Sequence, residues 1–232
     1  MGKIVAIGGG FGGDESWDLA EYVISLTGKE HPLYLQIPTT SYDFPDEGSI
    51  AVFAKMGCDI EILCPSHSDV TEEEIADKIR RADLINVPGG NLEYTMRIWN
   101  RTNCSKYLKE AFERGAVLFG QSSGSMCWFR QGFDDCGKRN DWMFVDCLDL
   151  IPFCNVPHYD SGGWQEYNAF ADKTPLSTVA CENEAALVFI DGEYSVMASA
   201  RRPDATAYFF DAENGYKRTD MREHPEIIKK LK

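Results

Sequence analysis

Short apolar runs alternate with amphipathic stretches from residue 3 to about residue 210. The runs have the length of buried strands, and the stretches between them repeat apolar positions with the period of a helix. Strands that alternate with helices along a chain typically form a parallel sheet covered by helices. The pattern therefore predicts an α/β fold: one doubly wound domain, spanning residues 1–232, with a mostly parallel central sheet and helices on both faces.

The first half of the chain predicts strands that alternate with helices, with two consecutive helices before the fifth strand. Thr71 and Glu74 have the spacing of a capping box, and Gly115 is typical of a helix C-terminus. Strands are expected at residues 3–7, 33–37, 59–63, 82–87 and 116–119, and helices at about 14–26, 47–56, 71–81, 92–100 and 105–114.

The second half is less regular. Residues 131–141 are polar and predict an irregular segment, and residues 142–150 resume an apolar pattern. Period-two alternation follows on both sides of Asp191-Gly192, a pair typical of tight hairpin turns. From about Asn214 the chain is charged, and we expect a solvated tail.

Charge and composition restrict the class of partner. The 232-residue chain carries a formal net charge of -14 at pH 7, which disfavours nucleic acid and anionic membranes. No apolar span approaches the roughly 18 residues of a membrane helix, so a cytoplasmic protein is expected. The eight cysteines are scattered and are expected to be reduced thiols. Neither a metal site nor a cofactor is predicted.

A glycine-rich turn follows the first predicted strand. Residues 8–13 formally contain Gly-x-Gly-x-x-Gly, the fingerprint of dinucleotide-binding loops. That fingerprint also needs an acidic residue at the end of the second strand, where this chain has Pro38-Thr39-Thr40. The turn is therefore interpreted as lining the mouth of a different site.

The fifth predicted strand runs into the clearest chemical motif of the chain. Residues 120–124 fit Gly-x-Ser-x-Gly, the nucleophile elbow, in which a serine stands at the apex of a strand-to-helix turn. Ser122 is that serine. The helix-compatible stretch that follows would aim its first backbone N–H groups at a developing oxyanion. The alternative is a plain glycine–serine loop with a helix cap.

A serine nucleophile needs a general base, and histidine is the usual one. Of the four histidines, only His158 follows an apolar segment and enters an aromatic loop; the others are His31, His67 and His224. His158 is therefore the predicted base, with a buried structural histidine as the alternative. Candidate acids lie on both sides of it, an order unlike that of α/β-hydrolases.

The fourth predicted strand also ends in a distinctive turn. Gly89-Gly90-Asn91 at the carboxyl end of a strand can expose unobstructed backbone N–H groups, and ligands of open α/β sheets bind at those ends. This turn is a candidate second donor to an oxyanion. A tight βα turn without chemical function is the alternative.

Three segments together resemble the dipeptidase E and cyanophycinase family of serine peptidases. Residues 87–91 resemble its Gly-Gly-Gly-Asn turn, residues 120–125 its Gly-x-Ser-Ala-Gly elbow, and residues 148–159 its histidine loop. The order and spacing of the segments also resemble the family's, over about residues 1–210. The resemblance implies a fold like that of class I glutamine amidotransferases.

The resemblance also implies a role for each motif. Ser122 would be the nucleophile and His158 the base, with the backbone N–H groups of Gly90 and Ser123 forming the oxyanion hole.

The third member of the triad would lie in the turn at residues 181–186. An ungapped alignment places Asn183 where the family has its acid. The neighbouring Glu182, or alternatively Glu184, is the predicted acid.

The activity that the resemblance implies is that of a serine exopeptidase, which hydrolyses short peptides through an acyl-enzyme. The family's aspartyl dipeptidases carry an arginine downstream of the histidine, but no arginine occurs here between Arg139 and Arg201, so aspartate selectivity is not expected. One alternative is an esterase or amidase that acts on a small non-peptide acyl compound. Another, motivated by Asn183, is a non-catalytic binding protein that retains the pocket. The expected partner is a small peptide, and a homodimer is consistent with the resemblance.

Overall fold

The computed structural model describes residues 2–10, 17–138, 141–229 and 231, without the side chain of Trp17. The α-helices are α1 (Trp17–Ser25), α2 (Glu47–Lys55), α3 (Glu72–Arg81), α4 (Leu92–Arg101), α5 (Cys104–Arg114), α6 (Ser123–Met126) and α7 (Pro225–Ile228). The strands are β1 (Lys3–Ile7), β2 (Leu33–Gln36), β3 (Asp59–Ile62), β4 (Leu84–Val87), β5 (Val117–Gln121), β6 (Phe129–Asp134), β7 (Met143–Asp146), β8 (Ile151–Val156), β9 (Thr178–Cys181), β10 (Ala185–Ile190), β11 (Glu193–Ala198), β12 (Ala207–Asp211) and β13 (Lys217–Asp220).

The larger sheet has the strand order β11-β10-β1-β5-β4-β2-β3. Five neighbouring strands of this sheet, β1, β5, β4, β2 and β3, are parallel to one another. The strands β10 and β11 add an antiparallel edge next to β1. Apolar side chains of α1 and α2 pack on one face, and those of α3, α4 and α5 pack on the other. The predicted α/β class, with a mostly parallel sheet covered on both faces, is confirmed.

A second sheet, with the order β13-β12-β9-β8-β6-β7, lies beside the first and was not predicted. Its strands β6, β8 and β9 are parallel, and the remaining pairs are antiparallel. Aromatic side chains form the cluster packed against it, among them Phe133, Tyr159, Tyr167 and Phe210. The sheet includes part of the segment 131–141, which the sequence predicted to be irregular, and part of the tail predicted to be solvated.

Two predictions are corrected by this second sheet. The segment expected to be irregular, residues 131–141, contributes to β6, because a strand that is covered on one face tolerates exposed polar residues on the other. The tail expected to be solvated supplies β13, which pairs with β12, and Met221 beyond it is fully buried. The helix after the elbow is only one turn long, because the chain enters β6 at Phe129.

Several local predictions are confirmed in detail. The Thr71 hydroxyl accepts the N–H of Glu74 at 3.2 Å, as a helix cap does. Gly115 closes α5 with a φ of 95°. Asp191 and Gly192 have φ values of 53° and 94°, which a tight hairpin of the predicted type requires.

None of the helices in the described ranges is long and apolar enough to cross a bilayer. The eight cysteines all carry free thiols, and only Cys64 and Cys147 are not fully buried.

Candidate active site

Ser122 occupies the strained apex that the elbow motif predicts. Its φ of 55° and ψ of -129° are unusual for a residue with a side chain, and it stands between β5 and the first turn of α6. Its backbone N–H donates to the carbonyl oxygen of Ile7 at 3.2 Å, and its own carbonyl oxygen accepts the N–H and the hydroxyl of Ser125 at 2.9 and 2.7 Å. These three bonds hold the strained conformation in place.

The glycines on either side of Ser122 are required by close backbone contacts. A Cβ on Gly120 would lie 2.6 Å from the carbonyl oxygen of Val87, and one on Gly124 would lie 1.9 Å from the same oxygen. The elbow therefore packs directly against the end of β4, and this contact brings Ser122 next to the turn that follows β4.

We predict that Gly124→Ala destabilises the protein by about 3 kcal/mol, because the new methyl group forces the backbone at Val87 to move. Urea unfolding measures this effect. Gly162→Ala is the matched control, since nothing lies within 4 Å of its Cβ position, and its effect should stay within about 0.5 kcal/mol. Equal stabilities of the two variants would contradict the packing described for the elbow.

The end of β1 and the two glycines that follow it connect the parts of the site. The carbonyl oxygen of Ile7 accepts the N–H of Ser122 at 3.2 Å. The next two carbonyl oxygens, those of Gly8 and Gly9, accept the N–H of His158 at 3.0 Å and that of Glu184 at 2.9 Å. A Cβ on Gly9 would lie 2.2 Å from the imidazole of His158. The described part of the glycine-rich turn thus lies against the predicted base, and residues 11–13 of that turn fall outside the described residues.

His158 faces Asn183. The Nδ1 atom of the imidazole lies 2.6 Å from the side-chain oxygen of Asn183. The amide nitrogen of Asn183 donates to Asp160 at 2.8 Å and to the hydroxyl of Ser161 at 3.2 Å, which fixes the orientation of the amide. Because its oxygen then faces the ring, Nδ1 is the protonated nitrogen and Nε2 keeps its lone pair.

Neither predicted acid contacts the imidazole, which corrects the expectation for the third member of the triad. Glu182 accepts from the N–H of Thr206 at 3.1 Å and from the hydroxyl of Tyr208 at 3.3 Å. Thr206 directly precedes β12, and Tyr208 lies in it. Glu184 is 3% exposed and accepts from Ser199 at 2.6 Å. In this tight turn the three neighbouring side chains point in different directions, and that of Asn183 faces His158.

A carboxylate lies directly behind Asn183. One oxygen of Asp160 accepts both the backbone N–H and the side-chain amide of Asn183 at 2.8 Å, and the other is 2.5 Å from the guanidinium of Arg202. Burial opposes ionisation of Asp160, but the N–H of Asn183 and the Arg202 guanidinium outweigh it and hold the pKa of this carboxyl below its ordinary value. The imidazole of His158, the neutral amide of Asn183 and the carboxylate of Asp160 therefore form one hydrogen-bonded chain.

The turn after β4 lies against Ser122, as its motif predicts. A Cβ on Gly89 would be 3.1 Å from that of Ser122. Gly90 has a φ of 149°, and a Cβ there would lie 2.0 Å from the carbonyl oxygen of Thr40. The described part of the chain offers no acceptor to the backbone N–H of Gly90 or of Ser123. Two free donors beside a serine hydroxyl form an arrangement suited to an oxyanion.

A buried carboxylate that sequence reasoning missed braces these donors. Asp134 is 2% exposed, and burial raises its pKa above the ordinary value. It accepts from the Ser123 hydroxyl at 3.1 Å and from the N–H of Leu92 at 3.3 Å. The Ser123 hydroxyl also lies 2.8 Å from the carbonyl oxygen of Gly90. Asp134 lies in the segment that was expected to be irregular, so no pattern in the sequence pointed to it.

Aromatic and acidic side chains surround the site. The ring of Trp164 lies 5.4 Å from that of His158, so the aromatic loop predicted to follow the histidine does approach it. Arg201 is paired with Glu184 at 3.1 Å, and Arg202 is paired with Asp160.

Comparison with known proteins gives one consistent result. The profile of peptidase family S51 matches residues 4–197. The chain is 26% identical over 211 residues to the "uncharacterized peptidase YgaJ" of Bacillus subtilis, which covers 87% of this chain and 89% of that protein. It is 30% identical over 94 residues to the "uncharacterized peptidase Lin0382" of Listeria innocua, covering 38% of this chain and 45% of that protein.

Two solved structures share the fold. A protein described as peptidase E from Listeria monocytogenes superposes with a TM-score of 0.69 at 19% identity, covering 86% of this chain and 100% of that one. A peptidase from an acI-B1 Actinobacterium superposes with a TM-score of 0.73 at 16% identity, covering 95% of this chain and 93% of that one. At identities this low, the similarity establishes the fold alone.

Proposed function

Because the chain belongs to peptidase family S51, we propose that it is a serine exopeptidase that hydrolyses short peptides through an acyl-enzyme. The observation that carries the proposal lies at the end of β1, where the backbone N–H groups of Ser122 and His158 donate to the consecutive carbonyl oxygens of Ile7 and Gly8. The imidazole of His158 in turn faces the side-chain oxygen of Asn183. This arrangement supplies a nucleophile, a base and a group that orients the base, which are the three parts of a triad.

In the proposed mechanism, the Ser122 hydroxyl oxygen attacks the peptide carbonyl carbon while Nε2 of His158 takes its proton. The tetrahedral oxyanion accepts hydrogen bonds from the backbone N–H groups of Gly90 and Ser123. Collapse of this intermediate breaks the C–N bond, and the imidazolium gives its proton to the leaving amine. His158 then takes a proton from a water molecule as the water oxygen attacks the acyl carbon. The ester bond to Ser122 breaks, the imidazolium returns its proton to the Ser122 oxygen, and the acid is released.

A neutral third member is compatible with this chemistry. The oxygen of Asn183 keeps Nδ1 protonated and the ring oriented, as a carboxylate would. The imidazolium formed during attack still has a carboxylate near it, because Asp160 lies one hydrogen bond behind the amide. We therefore propose that Asp160 is a positioning residue that supplies the negative charge of the triad through Asn183.

The surroundings of the site argue against selectivity for acidic peptides. Arg202 is engaged by Asp160 at 2.5 Å and approaches Glu182 at 3.7 Å, and Arg201 pairs with Glu184. An incoming carboxylate would have to compete with these acids for either guanidinium. We therefore propose short peptides with uncharged N-terminal side chains as substrates.

We propose the cytoplasm as the location of the protein. All eight cysteines carry free thiols, and reducing compartments keep thiols in that state.

We predict that a fluorophosphonate forms a single covalent adduct with the wild-type protein, because an activated serine attacks phosphorus as it would attack a carbonyl carbon. The adduct should be absent in Ser122→Ala and form at least about 100-fold more slowly in His158→Ala. Intact-protein mass spectrometry measures both. The absence of an adduct on folded wild-type protein would contradict the proposal and favour a non-catalytic binding protein.

A further inference from the structure

Three side chains with metal-binding atoms converge outside the proposed active site. A carboxylate oxygen of Asp43, the Sγ of Cys64 and a ring nitrogen of His67 all lie within 4.8 Å of one another. Asp43 belongs to the segment after β2, and the other two follow β3. Since β2 and β3 are parallel neighbours, their carboxyl ends bring these segments together. Oxygen, sulfur and imidazole nitrogen are the ligands that Zn²⁺ uses in proteins.

Asp43 has a carboxylate oxygen that no group among the described residues satisfies. The residue is 5% exposed, and its Oδ2 accepts the N–H of Ser66 at 2.9 Å and the hydroxyl of Ser66 at 2.5 Å. Its Oδ1 is buried and has no hydrogen-bond partner in the described part of the chain. Leaving a buried carboxylate oxygen unpaired is unfavourable, and a bound cation would satisfy it.

The other two ligands come from one turn. The N–H of His67 donates to the carbonyl oxygen of Cys64 at 3.2 Å, and the Cys64 thiol lies 3.8 Å from the carbonyl oxygen of Asp43. Tetrahedral zinc places its ligand atoms roughly 3.5 Å apart, given bonds of about 2.0 to 2.3 Å. The imidazole of His67 is exposed, so it can rotate to close the remaining distance and leaves the site open to solvent.

We propose that Asp43, Cys64 and His67 bind one Zn²⁺ ion, with the fourth position taken by water. The carboxylate and the thiolate together balance the two charges of the ion, and the imidazole binds in its neutral form. The proton of the Cys64 thiol passes to solvent when the S–Zn bond forms.

This site departs from the expectation of no metal, which rested on the lack of a Cys-x-x-Cys pair and of a histidine at zinc spacing from a cysteine. Its ligands are instead one cysteine, a histidine three residues later, and a carboxylate from another strand end. The pairing of β2 with β3 brings them together, and no spacing rule within one segment predicts the carboxylate.

The ion would brace the turn after β4 without contacting a substrate there. The segment that carries Asp43 also provides Thr40, whose carbonyl oxygen accepts the N–H of Asn91 and whose hydroxyl donates to the carbonyl oxygen of Pro88, both at 2.7 Å. Zinc at Asp43 would therefore tie this segment to the loop after β3. The binding site stands whether or not the protein hydrolyses peptides.

Zinc binding is tested by titrating chelator-treated protein, kept reduced, with Zn²⁺ in competition with a chromogenic chelator. We expect one ion per chain. Cys64→Ser and His67→Ala should each weaken the affinity at least about 100-fold, because each removes a direct ligand. The matched controls are Cys147→Ser, the other thiol that is not fully buried, and His224→Ala, an exposed histidine beside Glu226; both should bind like wild type.

Co²⁺ provides a second readout that does not depend on activity. The wild-type protein should show a thiolate-to-cobalt charge-transfer band, and Cys64→Ser should lack it although it stays folded by circular dichroism. The proposal is overturned if wild type takes up no ion, or if Cys64→Ser and His67→Ala bind zinc as tightly as the two controls.

Discussion

Replacing Ser122 by alanine is expected to lower kcat for dipeptide hydrolysis by about 10⁶-fold, the loss seen when the nucleophile of a serine peptidase triad is removed. The alanine keeps the Cβ and the backbone bonds to Ile7 and Ser125, so the elbow should retain its geometry. The loss therefore reflects the missing oxygen nucleophile. KM should change little, because the hydroxyl contributes to the transition state more than to binding.

The measurement uses the best substrate from a library of dipeptides, with folding of each variant checked by urea unfolding. Ser105→Ala is the control, since its hydroxyl bonds to Asn100 on the helical side of the molecule. If Ser122→Ala retained more than about a hundredth of the wild-type kcat, the assignment of the nucleophile would be wrong.

Replacing Asn183 by alanine is expected to lower kcat by about 10³-fold, because the ring of His158 loses the acceptor that fixes its tautomer. Asp160→Asn should lower kcat by about tenfold, since the charge behind the amide is lost together with its ion pair to Arg202. Steady-state kinetics on the same dipeptide measure both effects, with the folding of each variant checked by urea unfolding.

An exchange of the two side chains separates charge from orientation. Asn183→Asp alone places two carboxylates at the 2.8 Å contact with Asp160, where they must share a proton, and kcat should fall. Combining Asn183→Asp with Asp160→Asn puts the carboxylate on the imidazole and the amide behind it. This double variant should recover to within about tenfold of the wild-type kcat. If its kcat remained as low as that of Asn183→Ala, the hydrogen-bonded chain of His158, Asn183 and Asp160 would not function as a unit in catalysis.

The parallel half of the fold could be predicted because its strands are covered on both faces. Such strands appear as continuous apolar runs between turn residues, and β1 and β2 lie within one residue of their predicted bounds. The strands β6 and β13 contain exposed polar or charged residues and rely on neighbouring strands for their pairing. Local sequence gives no sign of that pairing, so the second sheet was missed.

The same distinction holds for the site. Ser122 lies in a motif that demands a turn, and His158 is the only histidine that follows an apolar segment and enters an aromatic loop, so both could be singled out from the sequence. The contact of Asn183 depends on the turn before β10, where Glu184 has a φ of 67°, and this conformation decides which of three polar neighbours faces the ring. Asp160 bonds across the fold to Arg202, a contact that no single segment of the sequence encodes.

The position of β1 also has a consequence for synthesis of the protein. Its end receives the N–H groups of Ser122, His158 and Glu184, and its two neighbours in the sheet are β5 and β10. Contacts between segments so far apart in the chain require the closure of long loops, which lowers the conformational entropy of the chain. Such contacts form late in folding. A chain still on the ribosome exposes the proposed nucleophile well before the proposed base and its orienting amide emerge. Translation products that end before Asn183 would therefore lack the orienting amide and be inert.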